Sequence, residues 1–386
     1  MRTALTEQFG ITHPIVSAGM ARVAQAPLVA AVSEAGAMGC LGGVSYFADA
    51  LRDEVRAVRR ATSRPFAVNL LVPPSLVQDD VEAWEPVRRR WEALSPAERD
   101  ALRGVEPMLT PGAVHEQVEA VLDERPAAVV LTFDVPDWFV AACREREIKV
   151  MALVGSVSRA VQADRAGADF IVAQGTEGGG HTGYVGTLVL VPSVVDAVEA
   201  PVLAAGGIVD GRGLAAARCL GAQGAWMGTR FIATTEAFGH PAYKQRVVES
   251  ASRDAVISRA YTGKPLRTLQ NEWTREWAQR ADEIEPFPAQ YAVAGVRVES
   301  GYQDGDVEQG MMPAGRMSWI TSTAWPATSC ARLSPKPSRS WLRAGAEPQA
   351  RSATTASRAR AIAWSIVSVV PLVRHWTRSS SSMPLR

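Results

Sequence analysis

The sequence has few cysteines, and its apolar pattern leads us to expect neither a signal peptide nor a membrane-spanning segment. Its four cysteines, among 386 residues, include no CxxC pair. This spacing disfavours a zinc site and a redox disulfide, and we predict no metal site. The first residues form no apolar signal core, and no apolar run reaches the roughly 20 residues that span a bilayer. We therefore expect a cytoplasmic protein that does not bind membranes.

The net charge is also close to zero, at +1, so there is no reason to expect a nucleic acid as partner. This sum hides an asymmetry, because residues 317–386 hold ten Lys or Arg and a single acidic residue, together with fourteen serines and five of the eleven tryptophans. We predict that 317–386 is an atypical basic tail, either disordered or read from a shifted reading frame. The alternative is a genuine basic tail that binds an acidic partner.

Short apolar runs alternate with amphipathic stretches along most of the chain. The stretches between the apolar runs have helical spacing. Consecutive strands are therefore joined by helices, and strands joined in this way are parallel. Eight such units predict an α/β fold of the TIM (β/α)8 barrel type. An open doubly wound sheet is the alternative, disfavoured because the first strand lacks a GxGxxG turn. The predicted strands are 14–18, 38–41, 66–72, 128–132, 149–154, 170–174, 201–205 and 225–227.

Some stretches depart from this repeat. We predict a barrel over 1–235, interrupted at 75–112 by an insertion rich in charge, Trp and Pro. A small helical lobe is predicted over 236–295, after the last barrel strand, where it can close over a ligand. Residues 296–316 are then expected to return to the barrel.

The most informative stretch follows the sixth predicted strand. Residues 174–183 read QGTEGGGHTG, which is too rich in glycine for regular structure and suits close approach of backbone N–H groups to a ligand. His181 stands within it and is the side chain there that can exchange a proton near neutral pH. A strand end, a glycine loop and one base are typical of an active-site loop on a parallel α/β scaffold.

The seventh and eighth predicted strands both end in glycine turns. Gly206-Gly207 and Gly228-Thr229 lie where such barrels usually bind a phosphate. Tight turns without a ligand are the alternative interpretation. Polar groups at other strand ends, on Asn69, on Gln174 and on the backbone of Gly19 and Met20, suit the edge of a flat heterocycle such as a flavin.

These motifs resemble the nitronate monooxygenases. The similarity rests on 174–183, on the AGGI of 205–208 and on the MGTRF of 227–231, and it extends from about residue 10 to 315. It implies a TIM barrel with FMN, a nitronate or nitroalkane and O2 as partners, and oxidation to a carbonyl compound and nitrite. His181 matches the catalytic histidine of the family. The implied FMN contacts are Ala18, Gly19, Met20, Asn69, Gln174, Gly179, Gly180, Gly206, Gly207, Met227, Gly228 and Thr229.

The same resemblance includes flavin reductases that use NAD(P)H on enoyl thioesters or quinones, and this activity is the alternative. A non-catalytic barrel that holds no cofactor is a further possibility. Glu177 is expected either to orient a loop or helix or to take part in catalysis. Arg22 stands where a smaller residue is expected, close to the predicted flavin contacts at Gly19 and Met20.

Overall fold

Eight short strands pair side by side in parallel and form the centre of the fold. The structure is a computed structural model that describes residues 1–72, 111–287 and 289–316 and positions 85, 89, 92, 93, 95 and 96. The strands are β1 (Ile15–Ser17), β2 (Gly39–Gly42), β3 (Phe66–Val72), β4 (Ala128–Phe133), β5 (Lys149–Val154), β6 (Phe170–Gln174), β8 (Val202–Ala205) and β9 (Gly224–Met227). Their order around the sheet is β1-β9-β8-β6-β5-β4-β3-β2.

A parallel bridge between β1 and the start of β2 closes this sheet into a barrel. Val16 lies opposite Met38. The Ser17 N–H donates to the Met38 carbonyl at 2.9 Å, and the Met38 N–H donates to the Ile15 carbonyl at 3.0 Å. The sheet therefore leaves no open edge between its first and last members, and the predicted TIM barrel is confirmed.

Side chains alternate between the barrel interior and the surrounding helices. One set from the strands, including Val16, Met151 and Leu203, packs with Leu5 inside the barrel. The residues next to them in sequence face outward and are buried under the helices. Helix α1 (Ala4–Phe9) carries Leu5 and Phe9 and covers the amino-terminal end of the barrel. Burial on both faces explains why the strands are almost continuously apolar.

Helices lie between successive strands of the barrel, where the sequence shows amphipathic stretches. Helix α3 buries Leu51, Val55 and Val58 along one stripe, which is the spacing that predicts it. These helices are α2 (Ala26–Glu34), α3 (Ala48–Ala61), α4 (Pro111–Glu124), α5 (Asp137–Glu145), α6 (Val157–Arg165), α7 (Thr187–Val195) and α8 (Gly211–Cys219), and the short helix α9 (Thr229–Ile232) follows β9.

The segment 236–295 contains helices and also two strands that the sequence analysis does not predict. These strands form an antiparallel pair, and the second of them pairs with β7 (Gly180–His181), so the lobe holds the glycine loop through a small sheet. The elements of this region and of the following residues are α10 (Pro241–Glu249), β10 (Ala255–Ser258), β11 (Leu266–Leu269), α11 (Glu272–Gln279), α12 (Ala289–Ala294) and α13 (Arg297–Gln303).

Two predictions concern residues that are not described. The insertion at 75–112 lies outside the described residues except at its last two positions and at positions 85, 89, 92, 93, 95 and 96, and the tail at 317–386 lies outside them entirely. None of the helices in the described part of the chain has both the length and the apolar character needed to cross a bilayer.

Candidate active site

A cavity of about 260 Å3 lies at the carboxyl ends of the barrel strands, between the barrel and the segment that follows β9. This is the end of a TIM barrel at which ligands bind. All the predicted site residues except Met227 line it: Ala18, Gly19, Met20, Asn69, Gln174, Gly179, Gly180, His181, Gly206, Gly207, Gly228 and Thr229. Met227 is buried in the core instead, and its carbonyl accepts a hydrogen bond from the Ala18 N–H at 2.8 Å.

Two glycine turns, at the ends of β8 and β9, border this cavity. Gly206 and Gly207 have φ angles of +104° and +70°, a region that residues with a Cβ rarely adopt. A Cβ at Gly206 would also lie 2.8 Å from the Thr187 hydroxyl and 3.0 Å from the Gly175 carbonyl oxygen. In the second turn, Thr229 Oγ1 accepts a hydrogen bond from the Gly315 N–H at 2.9 Å. Because a hydroxyl both accepts and donates, Thr229 can still donate to a ligand.

His181 lies on β7, where its backbone pairs with Leu266 of β11. Its ring meets Phe287 edge to face, with the ring centroids 6.4 Å apart. Burial lowers the pKa of His181 to about 4, and the positive charge of Lys264 acts in the same direction, against a hydrogen bond to the backbone of Pro265. The imidazole is therefore neutral at pH 7 and can accept a proton.

The amide nitrogen atoms of Gln174 and Asn69 both donate hydrogen bonds to other groups of the protein. Gln174 Nε2 donates to the His181 carbonyl at 2.7 Å, which fixes the start of the glycine loop relative to its end. Asn69 Nδ2 donates to the Val130 carbonyl at 2.9 Å and to the Thr132 hydroxyl at 3.1 Å. A polar residue in a buried strand needs such a partner. Each side chain also carries an amide oxygen that can accept an N–H group of a ligand.

Glu177 orients a helix. Its carboxylate accepts hydrogen bonds from the Thr187 N–H at 2.9 Å and from the Thr187 hydroxyl at 2.7 Å, at the first residue of α7. Burial opposes ionisation of Glu177, but these bonds and the charge of Arg267 together lower its pKa. Of the two roles expected for Glu177, the geometry therefore favours the orientation of the loop and helix over proton transfer.

Arg267 supports the glycine loop beside the cavity, and the sequence analysis misses it. It is 2% exposed and lies opposite Gly180 in the pairing of β11 with β7. Its Nε donates to the Thr176 carbonyl at 2.8 Å, and its Nη1 donates to the Ala255 carbonyl at 3.1 Å. A guanidinium offers several donors in a fixed plane, so it can join the glycine loop to both strands of the lobe. Nothing in the alternation of Leu266–Leu269 distinguishes this buried arginine from a solvated one.

The last four described residues, 313–316, cross the glycine loop and are called the closing segment below. Within it, the Gly315 N–H donates to Thr229, and the Arg316 N–H donates to the Glu177 carbonyl at 2.9 Å. A Cβ at Gly179 would lie 2.7 Å from backbone atoms of this segment, which is closer than real Cβ contacts come. The absence of a side chain at this position therefore allows the closing segment to pack on the loop.

Three tyrosines form the wall of the cavity opposite the barrel, and they are called the tyrosine wall below. Tyr243, Tyr291 and Tyr302 all line the cavity. The rings of Tyr243 and Tyr302 meet edge to face, with centroids 5.7 Å apart. The Tyr243 hydroxyl donates to the Pro313 carbonyl at 2.7 Å, so this wall is joined to the closing segment. The faces of these rings make the wall predominantly apolar.

Comparisons of the sequence with known proteins match one family. A family model described as nitronate monooxygenase matches residues 2–329. A probable nitronate monooxygenase of Staphylococcus saprophyticus is 35% identical over 308 residues, which cover 75% of this chain and 84% of that protein. One from Staphylococcus aureus is 32% identical over 344 residues, which cover 83% of this chain and 93% of that protein.

Solved structures give the same result for the fold. FabK from Thermotoga maritima superposes with a TM-score of 0.72 at 33% identity, over 86% of this chain and 95% of that chain. Nitroalkane oxidase from Streptomyces ansochromogenes superposes with a TM-score of 0.71 at 29% identity, over 86% of this chain and 96% of that chain.

Proposed function

Because the chain belongs to the nitronate monooxygenase family, whose members are flavin-dependent oxidoreductases, we propose that it uses FMN to oxidise alkyl nitronates with O2, yielding a carbonyl compound and nitrite. The observation that carries this proposal is the position of His181. Its neutral imidazole borders the same cavity as both glycine turns. The proposed enzyme thus has one proton acceptor beside a site for a phosphorylated cofactor.

The lining of the cavity supports FMN as the flavin. Gly206-Gly207 and Gly228-Thr229 would hold the phosphate, because backbone N–H groups and a hydroxyl are the donors that a phosphate accepts from. The oxygen atom of Asn69 or of Gln174 would accept from the N–H of the flavin ring. The other implied contacts, Ala18, Gly19, Met20, Gly179 and Gly180, line the cavity as well. A bound FMN supplies the electron acceptor of the reaction.

The protein side of the reaction is then a proton transfer in a dry site. Neutral His181 takes the proton from the carbon next to the nitro group of a nitroalkane, which yields the nitronate. A positioned general base contributes roughly 10²- to 10⁴-fold in rate, and the low pKa of His181 places its contribution toward the lower end of this range. The positive charge of Lys264, whose field reaches His181, favours the anionic nitronate over the neutral nitroalkane. The tyrosine wall excludes water, which strengthens these electrostatic interactions.

The test is anaerobic reduction of the flavin. The purified protein, loaded with FMN, is mixed without O2 first with ethylnitronate and then, in a second sample, with NADPH or NADH. We expect the nitronate to bleach the flavin absorbance near 450 nm rapidly. On admission of O2, we expect nitrite to accumulate in step with the nitronate consumed. A flavin that stays oxidised with nitronate, or a colourless protein that stays colourless with added FMN, would contradict the proposal.

One observation supports a second candidate function. The similarity to FabK matches that to nitroalkane oxidase in TM-score and slightly exceeds it in identity. The second candidate is therefore the NAD(P)H-dependent flavin reduction of enoyl thioesters or quinones. The same experiment separates the two, because this activity requires rapid bleaching by NAD(P)H and none by nitronate.

A further inference from the structure

A partly buried ion pair joins two walls of the cavity. The Nε and Nη2 atoms of Arg22 both donate to Glu299 Oε1, at 3.0 and 2.8 Å. The other carboxylate oxygen of Glu299 accepts from Gln303 Nε2 at 2.6 Å. The two side chains are 18% and 12% exposed. Charges this far removed from water are expensive unless they are well paired, and this pair is well formed.

The backbone at Arg22 is unusual. Its φ angle is +61°, in the left-handed region where a glycine would be free of strain. The Arg22 N–H donates to the Ser45 hydroxyl at 3.0 Å, and its carbonyl accepts from Gln25 Nε2 at 3.1 Å. A strained residue persists where the surrounding structure holds it, and such residues concentrate at functional sites. A glycine would relieve this strain but would lose the guanidinium and with it the contact to Glu299.

The position of the pair indicates this contribution. Met20 and Val23, on either side of Arg22, line the cavity on the barrel side. Glu299 belongs to α13, which also carries Tyr302 of the tyrosine wall. Tyr291 of the same wall lies in the field of both charges. The ion pair is thus a cross-link between the loop after β1, where the flavin contacts are proposed, and the wall opposite.

We propose that Arg22 and Glu299 are a positioning pair that fixes the separation of these two walls and so determines which substrates fit between them. The proposal rests on the proposed function to the extent that the cavity holds the substrate against a flavin. Neither residue is assigned a step in the chemistry. With the pair intact the cavity selects short, compact substrates, and with the pair broken the tyrosine wall moves away and bulkier ones are admitted.

The main experiment compares Arg22→Met, Glu299→Gln and the exchanged pair Arg22→Glu with Glu299→Arg, all loaded with FMN. We expect each single variant to raise the KM of ethylnitronate at least tenfold, with kcat and the Kd of FMN changed less than threefold. The ratio of kcat/KM for a bulky nitronate, such as that of phenylnitromethane, to kcat/KM for ethylnitronate should rise. In the exchanged pair, the KM of ethylnitronate should return at least halfway to the wild-type value. Arg280→Met, which removes an exposed pair with Glu283 at 43% and 58% exposure, is the matched control and should change none of these values.

Specific outcomes would overturn the proposal. An unchanged KM in a folded, flavin-loaded Glu299→Gln variant would do so, and so would a rise of KM accompanied by an equal rise in the Kd of FMN. Glu299→Gln keeps the shape of the side chain and guards against a variant that fails to fold. A crystal structure of this variant gives a second measure, in which we expect the distance between Met20 and Tyr302 to increase. An unchanged distance would count against the pair.

Failure of the proposed function can be told apart from failure of this inference. If the wild-type protein consumes no nitronate, the proposed function fails. The pair is then tested by the KM of an enoyl thioester in the NAD(P)H-linked assay and by the crystallographic distance, which requires no activity.

Discussion

Arg267 donates two hydrogen bonds to Thr176, one to its carbonyl at 2.8 Å and one to its hydroxyl at 3.3 Å. Thr176 opens the glycine loop and Arg267 belongs to the lobe, 91 residues later in the chain. The same loop carries His181, which pairs with Leu266 beside Arg267. The orientation of the proposed base therefore depends on the lobe as much as on the barrel strand that precedes it.

Replacement of Arg267 by Met should destabilise the protein and release the loop. The change leaves the carbonyls of Thr176 and Ala255 buried without this donor, at about 1–3 kcal/mol for each. We expect a loss of roughly 2–5 kcal/mol in the free energy of unfolding, measured by urea denaturation, and a weaker Kd of FMN. Arg275→Met is the control, since this side chain is 52% exposed. Equal effects of the two substitutions would contradict the assigned role.

Replacement of His181 by Gln should separate proton transfer from the later oxidation. With nitroethane, which must lose a proton, we expect kcat/KM to fall roughly 10²- to 10⁴-fold. With preformed ethylnitronate the loss should be less than tenfold, because the proton is already gone. The flavin spectrum should be unchanged. His115→Gln, at an exposed position of α4, is the control. Equal losses with both substrates would show that His181 does not act as the base.

The pH dependence with nitroethane should reflect the low pKa of His181. Because burial holds this pKa at about 4, the neutral base is present from pH 5 to 8, and the acid limb of kcat/KM should lie near pH 4. Lys264→Met removes a positive charge that lowers the pKa, so the limb should move upward, toward 6.5. Arg253→Met, with a side chain 90% exposed, should leave it in place. A wild-type limb near 6.5, or a downward shift in Lys264→Met, would contradict this assignment.

A methyl group at Gly179 should disrupt the closing segment. The new Cβ would lie 2.7 Å from both the Ala314 carbonyl carbon and the Gly315 nitrogen, so the segment must move. We expect Gly179→Ala to weaken the Kd of FMN at least tenfold, measured by flavin fluorescence. Gly112→Ala is the matched control, because a Cβ there meets nothing within 4 Å and the position is helical. Unaltered FMN binding in Gly179→Ala would show that the closing segment does not complete the cofactor site.

The sequence predicts the barrel well because each strand is a short apolar run that is followed by glycine, proline or a polar residue, or reaches one within a residue or two. The predicted bounds of β5 and β6 agree with Lys149–Val154 and Phe170–Gln174. Burial on both faces makes this pattern independent of distant partners.

The parts of the fold and site that the sequence does not predict depend on contacts between residues far apart in the chain. Strand β7 has two residues, too few for any period, and its partner β11 follows 85 residues later. For the same reason the role of Arg267 and the contact of Gly315 with Thr229 escape the sequence analysis. Asn69 illustrates the intermediate case. Its polar group is predicted to lie at the ligand end of the barrel, but the sequence does not show that its amide nitrogen donates to the Val130 carbonyl.

The closing segment also has a consequence for biosynthesis. A chain leaves the ribosome amino end first, at about 5–20 residues per second, so about 15–60 s separate the emergence of Ala18 from that of Arg316. During this interval the nascent barrel can pair its strands, while the N–H of Gly315 has yet to reach Thr229. The site proposed for the flavin is therefore completed only after residues 313–316 have emerged, when the rest of the barrel has already been synthesised.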